Sequence, residues 1–403
     1  MTDGRIKGAL VLDGNPGALA IVRSLGRRNI PVWALLDKYR VASFSRYCTR
    51  AFQWPDAPES EKVEWLMQLG CTHKLNQWVL FSTSDETARL ESLNRAPLSS
   101  QYCPTSPSWD IMRWAYDKRL TCQLAADVGL NHPQTFFPRD RYEVESLECG
   151  FPLVLKPAYK QKLNRFTRSK AWLARDRNEL LALYDEAVRL VDPSIVLIQE
   201  MIGGGGESQF SFACLCLDGR PLASLTARRT RQYPLDFGRG SFVETLELPE
   251  IEAPARRLLS SLHYSGMAEL EFKYDSRDGK YKLLEMNPRF WSWHSLGAPA
   301  GVDFPYLLWQ TANDQRIEEV RARTGLKWID GVMDLAAAAG DISRGRISVI
   351  NYLRSLSGIS DFAVYSRDDL LPALLEIPSL LCGRAFQFIK HHLRHAELRG
   401  TSS

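Results

Sequence analysis

The sequence lacks the features that mark several common classes of protein. Its 51 basic and 47 acidic residues are spread along 403 positions, so no basic arm or stripe of the kind that binds nucleic acid stands out. Its eight cysteines form neither a CxxC pair nor a zinc-ligand spacing with histidine. We therefore expect no nucleic-acid partner, and we expect the reduced thiols of a cytoplasmic protein.

The sequence also has no segment typical of a membrane span or an export signal. Its most apolar stretch near the C-terminus, residues 370–389, is interrupted by two prolines and two charged residues, whereas a transmembrane helix needs about 20 mostly apolar residues. The first residues lack the basic, apolar and small-residue order of a signal peptide. We expect residues 370–389 to form a helical surface that docks on the body of the protein.

The composition is that of a folded protein with several domains. Apolar residues make up 45% of the chain and charged residues 24%, which is the balance of a globular protein. A length of 403 residues exceeds that of one ordinary domain. The sequence contains no internal repeat and no low-complexity segment.

The first hundred residues alternate between strand and helix patterns. After a first strand that begins near Lys7 and ends in the turn Asp13–Gly17, apolar strands are predicted at residues 31–35, 50–54 and 78–82. Such alternation predicts a parallel sheet with helices on both faces. The turn lacks the GxGxxG spacing of dinucleotide-binding proteins, and no well-placed acid follows the second strand, which disfavours an oxidoreductase.

The middle of the chain has a different pattern. A helical pattern over residues 109–129 ends in a helix stop signal. The elements predicted next are a strand at 151–156, a helix at 177–190, a strand at 195–200, and strands at 209–217, 267–274 and 280–285. We expect an α+β lobe with an antiparallel sheet here, and helical patterns in the last seventy or so residues.

The strongest chemical signal is a pair of acidic strands joined by a turn. Glu271 lies in the first strand, and Glu285 and Asn287 lie in the second, just before Arg289. Alternate residues of a strand face one side, so Glu285 and Asn287 share a face, and a hairpin would bring Glu271 to it. Two carboxylates and an amide oxygen are ligands that Mg²⁺ prefers, with phosphate and water completing its octahedron. Solvated glutamates on edge strands are the plainer alternative, but they leave two acids inside apolar strands unexplained.

Further polar residues interrupt apolar strands. Lys156 lies inside such a strand and needs a partner such as a phosphate, and Lys118 could supply a second ammonium. Either lysine alone is more often a surface residue. The strand that ends in Gln199 and Glu200 exposes backbone N–H and C=O groups that can bind an adenine edge. The apolar walls of this adenine site would be Met201 and Ile202, and Glu207 could meet a ribose hydroxyl.

In this order the elements resemble the ATP-grasp superfamily, over roughly residues 8–305, and specifically its carboxylate-amine ligase branch. The motifs that carry the resemblance are Gln199-Glu200 before the glycine run Gly203–Gly206, the stretch Arg228-Arg229-Thr230-Arg231-Gln232-Tyr233-Pro234, and Glu271-Phe272-Lys273 with Glu285-Met286-Asn287-Pro288-Arg289. The resemblance implies an α/β and α+β fold in three parts. These are an N-terminal Rossmann-like parallel-sheet domain (1–105), an ATP-grasp domain of two α+β lobes with the nucleotide between them (106–315), and a mostly helical C-terminal extension (316–403).

The resemblance also implies roles for individual residues. The implied contacts are Lys118 and Lys156 with the phosphates of ATP, residues 199–202 with adenine, Glu207 with ribose, and Glu271, Glu285 and Asn287 with magnesium, for which manganese could substitute. Arg289 and one of Arg228 or Arg231, which we place in a loop, would contact the transferred phosphoryl group or the substrate carboxylate. The family's phosphate-covering loop corresponds to residues 159–170, which lack the glycines that are usual there.

The implied reaction converts a carboxylate into an acyl phosphate with release of ADP, after which an amine displaces phosphate. Its partners would be a small-molecule carboxylate and an amine, whose identity the sequence leaves open. A small-molecule kinase and a non-catalytic nucleotide-binding protein are the alternatives. In the N-terminal domain, Gly14, Asn15, Gly17 and residues 84–86 are weak substrate candidates that equally fit turn and helix-cap roles. The aromatic C-terminal region could cover a second copy in a homodimer.

Overall fold

The N-terminal lobe is a parallel sheet with helices on both faces. The computed structural model describes residues 7–159, 164–169 and 171–376. In chain order this lobe contains β1 (Ala9–Val11), α1 (Pro16–Gly26), β2 (Val32–Leu36), β3 (Arg50–Gln53), α2 (Glu59–His73), β4 (Trp78–Phe81), α3 (Asp85–Leu93), α4 (Arg95–Ser99) and β5 (Tyr102–Cys103). The strand order is β3-β2-β1-β4-β5, with every pair parallel. The parallel sheet predicted from the strand and helix alternation is confirmed.

A small antiparallel sheet follows two connecting helices. These elements are α5 (Trp109–Tyr116), α6 (Lys118–Asp127), β6 (Thr135–Phe136), α7 (Arg141–Glu145), β7 (Leu153–Pro157), α8 (Arg165–Arg168), β8 (Trp172–Ala174), α9 (Arg177–Val188) and β9 (Val196–Glu200). The strand order is β6-β9-β7-β8. One face of this sheet is covered by α7 and α9, whose apolar residues pack with Leu153, Leu155 and Ile198. The opposite face, which carries Lys156 and Gln199, remains for polar chemistry.

A large, mostly antiparallel sheet forms the third layer. Its elements, with the helices between them, are β10 (Gln209–Leu217), β11 (Arg220–Tyr233), β12 (Arg239–Thr245), α10 (Pro249–Ser261), β13 (Gly266–Asp275), β14 (Lys280–Asn287), α11 (Phe304–Ala312), β15 (Val320–Arg321), β16 (Lys327–Ile329), α12 (Gly331–Ser343), α13 (Val349–Ser355) and β17 (Ile359–Phe362). The strand order is β14-β13-β10-β11-β12-β16-β17, and β15 pairs with β11. Both β15 with β11 and β16 with β17 are parallel pairs.

The segment around the arginines at 228, 229 and 231 differs from the sequence prediction, which placed it in a loop. It belongs to β11, a strand of 14 residues that lies between β10 and β12. Charged residues are unusual in a central strand, and here they concealed the alternation of apolar and polar residues that predicts a strand. They are tolerated because two of these arginines find carboxylate partners inside the protein, namely Arg229 with Glu271 and Arg231 with Asp334.

The C-terminal extension contributes strands as well as helices. Its described part contains α12 and α13, as the helical patterns indicated, and it also adds β15, β16 and β17 to the large sheet. These strands are only two to four residues long, too short to show a clear alternation of apolar and polar residues. The domain boundaries at 105 and 315 stay a prediction.

A buried ion pair fixes the extension to the large sheet. Arg231 of β11 donates from Nε and Nη2 to the two carboxylate oxygens of Asp334 of α12, at 2.8 Å each. The side chains are 9% and 0% exposed. Ser241 donates to Asp334 at 3.0 Å, and Arg231 also donates to Ser355 at the end of α13, at 2.9 Å. Arg231 is therefore a structural residue and does not lie free for a substrate.

One apolar core joins the N-terminal lobe to the large sheet. It includes Val22 of α1, Phe81 of β4, Ala213 of β10, and the buried Trp291 and Trp328. The first residues of the tail at 370–389 lie against this body, where the preceding Asp369 accepts from the buried Arg23 at 2.9 Å. The remainder of that predicted surface, from residue 377, lies outside the described residues.

The seven cysteines within the described ranges are all free thiols, in agreement with the sequence analysis. Cys382 lies outside those ranges. Over the part of the chain that the structure describes, no helix combines the length and the apolar character needed to cross a membrane.

Replacing Asp334 with alanine is expected to destabilise the fold strongly. The change leaves the buried Arg231 guanidinium without its counter-ion, which costs about 3–5 kcal/mol in similar cases. The matched control is Asp236→Ala, which breaks the exposed pair between Asp236 and Arg344 and should cost about 0–1 kcal/mol. Urea unfolding followed by fluorescence measures both. Equal losses of unfolding free energy would contradict the structural role of Arg231.

Candidate active site

The hairpin of β13 and β14 places the predicted metal ligands together. The two strands pair antiparallel, with Glu271 opposite Glu285 and Glu269 opposite Asn287. Residues directly opposite in such a pair point to the same face of the sheet. The hairpin expected from the sequence is therefore confirmed, whereas the metal role of its residues stays a prediction.

A third acid, Glu269, belongs to the same face and was missed from the sequence. It is 3% exposed, accepts from Ser211 at 3.0 Å and from Asn287 at 3.2 Å. Burial, reinforced by the charge of Glu271, raises the pKa of Glu269 well above its usual range. The only sequence signal was its position two residues before Glu271, which predicts a shared face.

The amide of Asn287 is turned toward the carboxylates. Its Nδ2 donates to Glu271 at 3.1 Å and to Glu269, while its Oδ1 accepts from Arg289 at 3.2 Å. The oxygen and nitrogen of an amide are assigned from such contacts. For Asn287 to offer Oδ1 to a metal ion, the amide would have to turn round.

The donor set fits a divalent cation that arrives with phosphate. Glu271 and Glu285 supply two carboxylates from adjacent strands, and Mg²⁺ usually takes one or two carboxylates and completes its shell with phosphate and water. Within the described residues, no group of three or more His, Cys, Asp and Glu suits a metal ion.

Arg229 is the arginine of β11 that faces the site, and Arg228 is not. Arg229 donates to Glu271 at 3.1 Å and also to Gln209. Arg228 lies opposite Phe210 of β10 and Glu244 of β12, on the other face of the sheet. The expectation that Arg228 contacts the substrate or phosphate is wrong on geometry, because successive residues of a strand point to opposite faces and Arg229 is the one on the face of Glu271.

Two lysines lie on the side of the small sheet. Lys156 of β7 donates to Gln199 of β9 at 2.9 Å, and Gln199 in turn donates to Thr135 at 2.9 Å. Lys118, at the start of α6, places Nζ 3.7 Å from a carboxylate oxygen of Glu285. Lys118 therefore bridges the small sheet and the hairpin. Its backbone N–H donates to the carbonyl of Ala158, just beyond β7, which anchors it there.

The carboxylate of Glu200 is engaged in a link between the two sheets. It accepts from Lys282 at 2.9 Å, from Arg277 at 2.8 Å and from the backbone N–H of Gln134 at 3.0 Å. Burial alone would raise the pKa of Glu200, and these three donors more than offset it, so the pKa is lowered. The side chain of Glu200 is therefore unsuited to contact adenine, and only its backbone stays a candidate.

Several groups in the segment that follows β9 already form hydrogen bonds within the protein. Met201 is half-buried and donates its N–H to the carbonyl of Pro152 at 3.1 Å, and Ile202 is buried. The carboxylate of Glu207 accepts from the N–H of Gly205 at 2.9 Å. Lys273 of β13 donates to the carbonyl of Gly204 at 2.8 Å, which ties the glycine run to the large sheet.

Arg289 lies near the acids Asp85, Glu269 and Glu285. Its Nε donates to Asp85 of α3 at 2.5 Å, its Nη1 to the carbonyl of Phe290 at 3.0 Å, and its Nη2 to Asn287. Burial would lower the pKa of Arg289, but the charges of Asp85, Glu269 and Glu285 outweigh it and raise the pKa. The arginine stays charged and is held in one orientation.

A small pocket of about 40 Å³ lies at this meeting point. Its walls include Asp85, Tyr116, Lys118, Tyr159 and Glu285. The pocket therefore joins groups from the N-terminal lobe, the small sheet and the hairpin. Of the predicted loop 159–170, residues 160–163 and 170 lie outside the described residues.

The N-terminal substrate candidates mostly have structural roles. Asn15 caps α1 by accepting from the N–H of Ala18 at 3.0 Å, and it donates to Thr83 at 2.8 Å. A side chain at Gly14 would collide with the backbone of residue 39. Ser84 caps α3. One of these candidates, Asp85, contacts a predicted site residue, Arg289.

The arrangement of sheets defines the ATP-grasp fold, as expected from the sequence, and solved structures share it. One is the biotin carboxylase domain dimer of Hydrogenobacter thermophilus 2-oxoglutarate carboxylase in complex with MgADP, ADP and bicarbonate. It has a TM-score of 0.63 and 16% identity, over 80% of this chain and 73% of that chain. Another is the L-amino acid ligase from Bacillus licheniformis, with a TM-score of 0.57 and 17% identity, over 76% of this chain and 74% of that chain.

Sequence comparison finds a related ligase at low identity. The chain is 23% identical to the D-aspartate ligase of Enterococcus faecium over 236 residues. This match covers 54% of this chain and 54% of the ligase, so the chain spans about half the length of that relative. No family model matches the chain.

The substitution Glu285→Gln is expected to weaken binding of Mg-ADP by at least about tenfold, as loss of a metal-supporting group commonly does. Binding of ADP without magnesium should stay unchanged, because the variant keeps its shape and loses only a charge. The exposed Glu318 provides the matched control as Glu318→Gln. Titration calorimetry with and without magnesium measures both. Equal losses in the two titrations would argue against a metal site at the hairpin.

Proposed function

We propose that the protein is an ADP-forming, Mg-ATP-dependent ligase that joins a carboxylate to an amine. The observation that carries the proposal is the approach of Lys118, from the small-sheet side, to the hairpin that carries the carboxylates and the amide. Its Nζ lies 3.7 Å from a carboxylate oxygen of Glu285. Cationic groups on one side and metal-binding groups on the other suit a polyphosphate held between them.

The nucleotide is assigned to this cleft. Lys118 and Lys156 contact its phosphates, and the backbone of residues 199–202, with the side chains of Met201 and Ile202, surrounds adenine. Glu207 meets the ribose. Glu271, Glu285 and Asn287 would hold magnesium or manganese, which when bound neutralises charge on the phosphate oxygens.

The reaction needs positioning and charge compensation but no nucleophilic side chain. An oxygen of the substrate carboxylate attacks the γ-phosphorus, and ADP leaves, which gives an acyl phosphate. The amine nitrogen then attacks the acyl carbon, phosphate leaves, and the nitrogen loses a proton. Arg229 and Arg289 supply planar guanidinium groups for the phosphoryl group and the substrate carboxylate.

Amino acids are the first substrates to test. The D-aspartate ligase and the L-amino acid ligase are both named for amino-acid substrates, and this supports an amino acid or peptide as at least one partner. The biotin carboxylase domain is a dimer, and a homodimer of this chain is part of the proposal.

The test is ADP release by the purified protein with Mg-ATP and pools of amino acids, with hydroxylamine in a parallel set to trap acyl phosphate. Carboxylate-dependent ADP release together with a hydroxamate is the expected result. Glu285→Gln is the matched inactive control. A stable phosphorylated product would indicate a kinase instead, and nucleotide binding without ADP release would indicate a non-catalytic protein.

Adjacent arginines of β11 provide a second test. Arg229→Lys should lower turnover about 10²–10³-fold, the usual cost of losing an oriented donor to developing charge. Arg228→Lys is the matched control and should change turnover less than about threefold, since it lies on the opposite face. Steady-state ADP release measures both variants. A larger loss at position 228 would reverse the assignment.

A further inference from the structure

The Asp85–Arg289 pair joins two parts of the protein that are 204 residues apart in the chain. Asp85 is the first residue of α3 and belongs to the N-terminal lobe, outside the two sheets that form the nucleotide cleft. A second contact supports the first, because the N–H of Phe290 donates to the carbonyl of Ser82 at 3.3 Å. The segment after β4 is thus attached to the segment after β14 at two points.

Asp85 leaves Arg289 suited for a ligand with two oxygens. A guanidinium has five N–H groups, and Nε, Nη1 and Nη2 of Arg289 each donate once, to Asp85, Phe290 and Asn287. Among the contacts of the described residues, this leaves one N–H on each terminal nitrogen, the number needed for a bidentate contact with a carboxylate or phosphate. Asp85 also lines the pocket beside Lys118 and Glu285.

Asp85 also keeps Arg289 away from the acids of the hairpin. Glu269 and Glu285 attract the Arg289 charge, as does Asp85. If Asp85 lost its charge, the guanidinium would be drawn toward Glu269 and Glu285, and Glu285 is one of the carboxylates that we assign to the metal. Arg289 would then compete with magnesium for Glu285, and it would no longer be directed at the substrate.

We propose that Asp85 is a positioning residue of the ligase site: it orients Arg289 for the oxygens of the substrate carboxylate or phosphoryl group and holds it off the metal-binding acids. The inference rests on the proposed function. It makes the N-terminal lobe a working part of the ATP-grasp site.

The kinetic test compares Asp85→Asn with Glu64→Gln, an exposed acid of α2 in the same lobe. Asp85→Asn should raise the carboxylate KM and lower kcat, by about 10²-fold in kcat/KM, as expected for a misplaced contact group. Its Kd for ADP without magnesium should stay within about threefold. Glu64→Gln should behave as wild type. Asp85→Glu, which keeps the charge, should recover part of the activity. Such recovery would show that the loss in Asp85→Asn comes from the charge and not from a folding defect.

A double-mutant cycle tests whether Asp85 acts through Arg289. If it does, Asp85→Asn should cause little further loss in the Arg289→Lys background, because the oriented group is already gone. Fully additive losses, or normal kinetics for Asp85→Asn, would overturn the proposal.

A spectroscopic readout separates this inference from the proposed function. The ¹⁵N resonance of the Arg289 Nε–H, assigned by its loss in Arg289→Lys, should shift or disappear in Asp85→Asn and remain in Glu64→Gln. If the wild type shows no carboxylate-dependent ADP release, the proposed function fails, and this signal still decides whether Asp85 orients Arg289. A signal unchanged in Asp85→Asn would refute the positioning role whatever the activity.

Discussion

Compensation of buried charge at the β13–β14 hairpin is the constraint on which the rest of the structure depends. Glu271 is only 9% exposed, and an ionised acid at such depth requires a cation close by. Arg229 supplies it from the middle of the large sheet. Arg289, in the segment that follows the hairpin, attracts Glu269 and Glu285, but burial and the charge of Glu271 still raise the pKa of Glu269. The positions of these two arginines in turn fix β11 and the N-terminal lobe relative to the acids.

Ion pairs also link the small sheet to the large one. Glu200 at the end of β9 is paired with Lys282 of β14 and Arg277 in the hairpin turn. Lys118 approaches Glu285 from the opposite side of the cleft. A polyphosphate and its cation placed between these groups would add negative and positive charge in the same place, so the cleft can accept both without a new uncompensated charge.

The sequence was informative where the pattern is local. Alternation and a turn were enough to pair Glu271 with Glu285, because a hairpin brings near neighbours together. It pointed to Arg228 or Arg231 and did not identify Arg229, since that choice depends on the face of β11, which only its neighbours β10 and β12 define. Nor could it reveal the partners of Glu200 or the Asp85–Arg289 pair, which join positions 82 and 204 residues apart. Contacts of that kind depend on the packing of lobes and leave no periodic signal.

The short strands of the C-terminal extension give the large sheet a protected border. Without β16, the strand β12 would present an unpaired row of backbone donors and acceptors, which invites pairing with another chain. With the extension in place, the sheet instead ends at β17, a strand of four residues that includes Ser360 and Asp361. Short strands with polar residues make poor templates for edge-to-edge association. The extension therefore acts against aggregation, independently of any part it has in chemistry.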